Sequence, residues 1–240
     1  MASFHHQIKS GKKGCAQHHA KYINRDGRYS TREDLIHAAY GNMPDWCRGN
    51  PNMFWSMADL HERANGAAYR EHVIALPNEL TAEQLIALAE KMVRELIGTK
   101  PYQYAIHAPE GQLGGIRNPH LHLMYSDRMP DGVQRPAERV FARFNPGCPG
   151  SGGWRKDSGG MNRLELRDQV IATRKAIADL QNQALTEGGY DARVDHRTLR
   201  EQGQQRRPER HLGAARVRDM SPDERAAYAA HRPSRAPMGS

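Results

Sequence analysis

Asn118-Pro119-His120-Leu121-His122-Leu123-Met124-Tyr125-Ser126 alternates imidazole with leucine, and the rest of the chain is read outward from it. In a strand, residues i and i+2 share a face, so His120 and His122 point together while Leu121 and Leu123 face a core on the other side. Pro119 suits the first strand position, where its missing N–H costs little. Two converging neutral imidazoles make half of a metal site. The nearest upstream third ligand is His107, which closes the run Tyr102-Gln103-Tyr104-Ala105-Ile106. That run predicts a second strand, and a hairpin through the glycine-rich residues 111–117 sets His107 beside the pair.

Upstream, residues 3–9 predict a short first strand, followed by a Gly/Lys loop over 9–14 that carries Lys9, Lys12 and Lys13. That loop reads equally as a phosphate-contacting patch and as a solvated turn. Residues 15–24 predict a helix with Ala16, Ala20 and Ile23 at helical spacing. Its last turn presents Lys21, Tyr22 and Arg25 before Asp26-Gly27 breaks the pattern. A second helix is expected over 53–65, and a strand over 69–76 that stops at Pro77. Thr81 with Gln84 three residues later is a capping box. It opens the clearest helix, with a stripe of Leu85, Leu88, Ala89, Met92, Val93 and Leu96, ended by Gly98.

Downstream, Pro136 opens a short helix to Phe144, residues 146–160 form a Gly/Pro/Ser-rich loop, and 163–187 form a long charged helix. From Leu199 onward nine Arg stand against five acids, a net +4. This predicts a basic, extended C-terminal segment or linker over 199–240, behind a catalytic domain over 1–198. Strands and helices alternate without βαβ cadence, glycine-rich nucleotide loop or internal repeat. The expected fold is α+β, a central antiparallel β-sheet with helices packed on one face and the histidine face free for a ligand.

Hydrophobic content of 38% and a mean hydropathy of −0.83 are low for a globular chain, so part of it is expected to lie outside the core. A net charge of +8 and a pI near 9.6 point to a polyanionic partner, most simply nucleic acid. Cys15, Cys47 and Cys148 are too few and too scattered for a disulfide framework or a Cys-type zinc site, which suits a reducing cytoplasm. No apolar stretch reaches membrane-spanning length, and the expectation is a soluble cytoplasmic protein without membrane insertion.

Three imidazoles leave coordination positions open, the arrangement of a catalytic metal rather than a structural one. On a basic surface the matching substrate is a phosphodiester, polarised at a non-bridging oxygen. The attacking group is water or a side chain. No Gly-x-Ser-x-Gly elbow is present, but nine tyrosines are, and a tyrosine hydroxyl can serve as a covalent nucleophile. Glu71, on the neighbouring strand, reads either as an acid that orients a ligand histidine from behind or as a surface residue. His18, four residues before Tyr22, is placed to assist its deprotonation. His5, His6 and His72 read as solvated or structural.

Asn118-Pro119-His120-Leu121-His122-Leu123, with His107 in Ala105-Ile106-His107-Ala108, resembles the His-hydrophobic-His motif of the MobA/MobL relaxases, the nickases of plasmid mobilisation. Three further stretches are similar: Ala20-Lys21-Tyr22-Ile23-Asn24-Arg25-Asp26-Gly27-Arg28-Tyr29, Ala75-Leu76-Pro77-Asn78-Glu79-Leu80 and Asp195-His196-Arg197-Thr198-Leu199. The resemblance runs to about Gly213 and implies a relaxase-like fold. It implies nicking of one strand at the origin of transfer by tyrosine transesterification, a 5′-phosphotyrosine link and later rejoining. Tyr22 takes the nucleophile's place, with Tyr29 the second candidate, while Tyr102, Tyr104 and Tyr125 read as core or stacking residues. His107, His120 and His122 take the place of the metal ligands for one divalent ion. The family implies Mg2+ or Mn2+, although imidazole alone suits Zn, Fe or Ni better. Lys12, Lys13, Lys21 and Arg25 are the DNA-binding candidates. The implied partners are origin-of-transfer DNA, single-stranded near nic, accessory relaxosome proteins and a type IV secretion coupling protein. Two other readings stand beside it: a rolling-circle replication initiator nickase, and a non-catalytic single-stranded DNA-binding protein with a structural histidine cluster.

Overall fold

The computed structural model describes residues 4–111, 117–205 and 214–230. Five strands, β1 (His6–Lys12), β2 (Leu35–Gly41), β3 (Ala67–Ala75), β4 (Tyr102–His107) and β5 (His120–Tyr125), make one sheet in the order β1-β3-β5-β4-β2. Every neighbouring pair is antiparallel. The strand that opened the sequence reading, β5, is therefore the central one, with β3 and β4 on either side. Helices α1 (Ala16–Ile23), α2 (Pro51–His61), α3 (Ala82–Ile97), α4 (Ala137–Val140) and α5 (Arg163–Glu187) complete this unit. They are joined by a small ribbon of β6 (Arg128–Met129) and β7 (Arg155–Lys156). The chain divides into two units, 1–108 with 119–196, and 109–118 with 197–240. Among the described residues the second unit carries α6 (Ala214–Asp219) and α7 (Pro222–Ala230), helices where an extended segment was expected. The glycine-rich residues 112–116 of the expected hairpin loop lie outside the described residues.

The period-2 pattern of β5 sorts the sheet into two faces. Leu121, Leu123 and Tyr125 join Ile74, Tyr104 and Ile106 in a core closed by Leu85, Leu88 and Met92 of α3 and by Ile177 and Leu185 of α5. Burying each of the larger side chains contributes about 1.5–3 kcal/mol. Thr81 caps α3 as read: its Oγ1 accepts the Gln84 N–H, and Gln84 Oε1 accepts the Thr81 N–H. The α+β antiparallel sheet and the helices on its leucine face are present. The histidine face, expected to stand free, needs a correction. Ala16, Ala20 and Ile23 of α1, with Phe54, Trp55 and Ala58 of α2, pack against Ala105 and Met124 on that face. The cause lies in the strands, which place Ala105 and Met124 beside the histidines as apolar ground for a second helical layer.

Two strands differ from the reading. β1 runs three residues further than expected, so Lys12 belongs to a strand rather than to a loop. Gly11 looked like a loop residue but sits under the ring of Tyr69, where any side chain would collide. β2 was not foreseen. It is an edge strand of Leu-Ile-His-Ala-Ala-Tyr-Gly in which no residue is fully buried, so no alternation marks it. The 146–160 loop is tied down by the β6–β7 ribbon. Arg128, 3% exposed, donates to Glu62 and to the carbonyls of Phe141, Ala142 and Trp154. Removing one partner of such a buried pair costs about 3–5 kcal/mol. Among the described residues no helix is long and apolar enough to cross a membrane, and the three cysteines are free.

On the leucine face, His6 and His72 are buried and share a hydrogen bond of 2.9 Å, with His72 stacked on Tyr125. Burial, reinforced by nearby positive charge, holds both imidazoles well below the ordinary histidine range. A depressed pKa in the fold means that acid protonates the unfolded chain first, so this stability is present above about pH 6.5 and drains away as pH falls toward 4. The melting temperature is expected to drop through that window, and the double variant His6→Gln/His72→Gln to drop less steeply than wild type in the same thermal melts. An identical acid slope in the double variant would place the sensitivity elsewhere.

Candidate active site

Antiparallel pairing of β4 with β5 sets His107 directly opposite His120, and His122 follows two residues on along the same face. The three imidazoles converge: one ring nitrogen from each lies within 4.8 Å of the others, and the ring centroids are 4.8–5.5 Å apart. His107 and His122 are buried and His120 is half-buried.

Behind His122 stands Glu71 of β3, fully buried. Its Oε1 is 2.7 Å from His122 Nδ1 and 2.8 Å from Nε2 of His19 on α1. Burial alone would raise this carboxyl, but the hydrogen bonds from His122 and His19 overcome it and lower the pKa to about 2. An ionised carboxylate only accepts, so both histidines donate to it. A neutral His122 then carries its lone pair on Nε2, the tautomer suited to a metal. His107 is held differently. Its Nε2 donates to the Ile23 carbonyl at 2.7 Å, and its Nδ1 accepts from Arg25 Nη2 at 3.1 Å. Burial, with the charges of neighbouring histidines and Arg25, depresses its pKa to about 3 and keeps it neutral. The donor set fits a divalent cation: three imidazoles, at least one aligned by a carboxylate. A metal ligated by His107 would replace one of that ring's two present partners.

Tyr22 lies in the last turn of α1, and its ring meets His122 edge-on at a centroid distance of 6.3 Å. Arg25 and Arg32 lie over the same ring, their guanidinium carbons 4.9 and 5.6 Å from its centre. Tyr29 packs edge-on against Tyr22 at 5.2 Å, its hydroxyl accepting from Arg28. No ring contact joins Tyr29 to the histidine cluster among the described residues. Tyr104 and Tyr125 are buried core residues.

Several sequence expectations need correction. Arg25, expected to bind DNA, is 6% exposed and forms a two-pronged pair with Asp34, both contacts at 2.7 Å. Its charge belongs to the floor of the site rather than to a DNA-facing surface. His18 is exposed, and His19 is the histidine beside Tyr22, stacked at 6.0 Å. On a helix whose buried stripe is Ala16, Ala20 and Ile23, steps of about 100° per residue put His18 on the far side and His19 on the flank next to Tyr22. That signal was available. Asp34 had none, since it lies just before the unforeseen β2. Lys12, Lys13 and Lys21 are all exposed, Lys12 on β1, Lys13 in the turn after it and Lys21 on α1.

The helix bearing Tyr22 is only eight residues long and marginal by itself. Tertiary contacts hold it throughout. Asp59 of α2 accepts the backbone N–H groups of Gly14, Ala16 and Gln17. Buried Gln103 accepts from Trp55 and donates to the Ala20 carbonyl. The C-terminus turns through Arg25 at φ 60°, with Asp26 N–H bonded to the Lys21 carbonyl at 2.9 Å. This is a glycine-type cap occupied by an arginine.

Residues 10–221 match the model of the MobA/MobL family. The chain is 41% identical over 206 residues to the "43 kDa relaxation protein" of Salmonella typhimurium, covering 85% of this chain and 56% of that one. It is 42% identical over 219 residues to "Mobilization protein A" of Escherichia coli, covering 89% of this chain and 30% of that one. The chain thus spans about half the length of the first relative and under a third of the second. A solved structure from Staphylococcus aureus, described as "Molecular Basis of Vancomycin Resistance Transfer", shares the fold at a TM-score of 0.59. It is 21% identical, and the match covers 82% of this chain and all of that one.

The geometry around Glu71 makes a prediction separable from any reaction. Glu71→Gln retains the shape but can no longer accept two N–H donors as an anion. Calorimetry with Mn2+ is expected to show affinity reduced about ten- to hundredfold. Wild-type affinity in this variant would mean that the carboxylate orders the protein and not the ligand.

Proposed function

Because the chain belongs to the MobA/MobL family, we propose that it is the relaxase portion of a plasmid mobilisation protein, nicking one DNA strand at an origin of transfer. The observation that carries this reading is the contact of Tyr22 with His122 in a cluster of three convergent imidazoles.

In the proposed reaction the Tyr22 hydroxyl attacks the scissile phosphorus, the bond from phosphorus to the 3′ oxygen breaks, and the 3′ oxygen leaves with a proton as a free 3′-OH. The 5′ phosphate stays on Tyr22 as a diester, so the bond energy is retained and the same site can rejoin the ends. A tyrosine hydroxyl titrates near 10 and is a weak nucleophile unaided. Arg25 and Arg32, stacked over the ring, bring positive charge beside the negative charge that grows at phosphorus. Clamped α1 holds the nucleophile in register with the imidazoles, which removes orientational freedom before the reaction. His107, His120 and His122 would hold one Mg2+ or Mn2+, which when bound supplies a Lewis acid for a non-bridging phosphate oxygen. His19, donating to Glu71, orients the α1 face that carries Tyr22.

The substrate in this reading is origin-of-transfer DNA, single-stranded near nic and drawn in by the net charge of +8. Accessory relaxosome proteins and a type IV secretion coupling protein are the further proposed partners, and the cytoplasm the proposed site of action.

The test is a labelled panel of origin oligonucleotides with and without Mg2+ or Mn2+. Wild type is expected to cleave one of them, form an adduct that survives SDS, and join the held 5′ end to an added 3′-OH strand. Tyr22→Phe should bind normally yet form neither product nor adduct, and His120→Ala should lose cleavage while keeping DNA binding. Tyr29→Phe should retain the adduct; an adduct mapped to Tyr29 by mass spectrometry would move the nucleophile. Cleavage with no adduct would make water the nucleophile and end the relaxase reading.

A further inference from the structure

At the opposite end of the sheet from the histidines, the β6–β7 ribbon borders a cavity of about 260 Å³ walled by Arg63, Arg143, Phe144, Trp154, Arg155 and Lys156. Arg128 forms its floor. Its position follows from the register. Lys156 reaches the Ala67 carbonyl at the start of β3, whereas His122 pairs with Val73 and His120 with Ala75 at its end. Strand rise puts about 20–25 Å between the two places, too far for one phosphate to serve both. Trp154 packs in the same cluster as Met124 and α1, so the cavity lies on the histidine side of the sheet.

The charge around this cavity is not balanced. Five cationic side chains line it; the carboxylate of Glu62 backs them, and that of Asp127 also acts on Lys156. Glu62 is 2% exposed and already engaged, with Arg128 at 2.9 Å and Lys156 at 3.3 Å, while Arg63 is 3.9 Å away. These contacts override the effect of burial and keep Glu62 ionised. Arg143 and Arg155 are exposed and have no ion pair among the described residues. On α5, by contrast, Arg167 is paired with Asp168 and Lys175 with Asp179. Gathering unpaired like charges is unfavourable unless an anion is to occupy the space between them.

A second observation indicates the chemistry of the ligand. Trp154 is 7% exposed, and its indole N–H has no hydrogen-bond partner. A buried donor without an acceptor is uncommon and calls for an explanation. The wall of the cavity thus offers guanidinium forks and no exposed acceptor side chain. Phosphate oxygens, which only accept, satisfy all of them.

We propose that this cavity is a second DNA subsite, holding a backbone phosphate of the bound DNA about 20–25 Å along the sheet from the scissile bond. The inference rests on the DNA-processing reading above but makes its own prediction. The contact is to backbone, so it contributes affinity and register rather than sequence preference. It lies outside the reacting centre, so it acts on binding and not on the chemical step.

The experiment measures binding of two probes by fluorescence anisotropy across a salt titration: the origin oligonucleotide that wild type cleaves, and a long oligothymidylate. The variant Arg143→Ala/Arg155→Ala removes two exposed cations without touching the buried Arg128–Glu62 pair. Its affinity at about 0.1 M salt should fall on the order of tenfold, and the log–log salt slope should shrink by about 0.7–1 on both probes. Arg143→Lys/Arg155→Lys should keep the slope, and cleavage at saturating DNA should match wild type in both. The control Arg167→Ala/Lys175→Ala removes equal charge from α5 and should leave slope and affinity near wild type. An unchanged slope in the first variant, or an equal loss in the control, overturns the subsite. A wild type that cleaves no origin oligonucleotide defeats the relaxase reading instead, and the oligothymidylate arm still decides the subsite.

Discussion

A carboxylate with no exposed surface is costly to bury, and Glu71 is tolerable only because two histidine N–H groups meet it. Those donors come from different layers: His122 from the central strand and His19 from the helix laid across it. One buried charge therefore ties sheet to helix and fixes the tautomer of His122. It also sets where α1 rests, and with it the position of Tyr22. Without this anion, two imidazole N–H groups would be left in a low-dielectric space with nothing to accept them. The remaining clamps on α1, from Asp59, Gln103 and His107, agree with that placement.

Arg25 shows what the site costs in backbone terms. A non-glycine residue in the left-handed region carries a penalty of about 1 kcal/mol. Glycine would end α1 without strain, but it brings no guanidinium to bridge Asp34, the Tyr22 carbonyl and His107. Strain of this kind persists where the surroundings over-determine a residue. Here three neighbours do so, through four hydrogen bonds.

The central part of this arrangement was legible because it repeats with the period of its element. His120-Leu121-His122-Leu123 states two faces in four residues, and Thr81 with Gln84 states a helix start. The same logic put Glu71 near the cluster, although not its bond to His19. What stayed hidden has physical reasons. β2 is half-exposed along its length, so burial imposes no alternation on it. The second helical layer depends on Ala105 and Met124, which read as ordinary interior residues. Arg25 looked like a surface cation because its partner Asp34 is nine residues away across a turn. His19 alone was recoverable, from the angle it makes with the buried stripe of α1.

Strand order has a consequence in time. Tyr22 is made early, but the imidazole it touches is His122, one hundred residues later, on a strand that must be inserted between β3 and β4. At a synthesis rate of about 5–20 residues per second, the tyrosine waits roughly 5–20 seconds for its partner to be polymerised at all. No fragment of the nascent chain that ends before β5 contains the cluster. A growing polypeptide still on the ribosome thus holds an isolated phenol and not the assembled cluster.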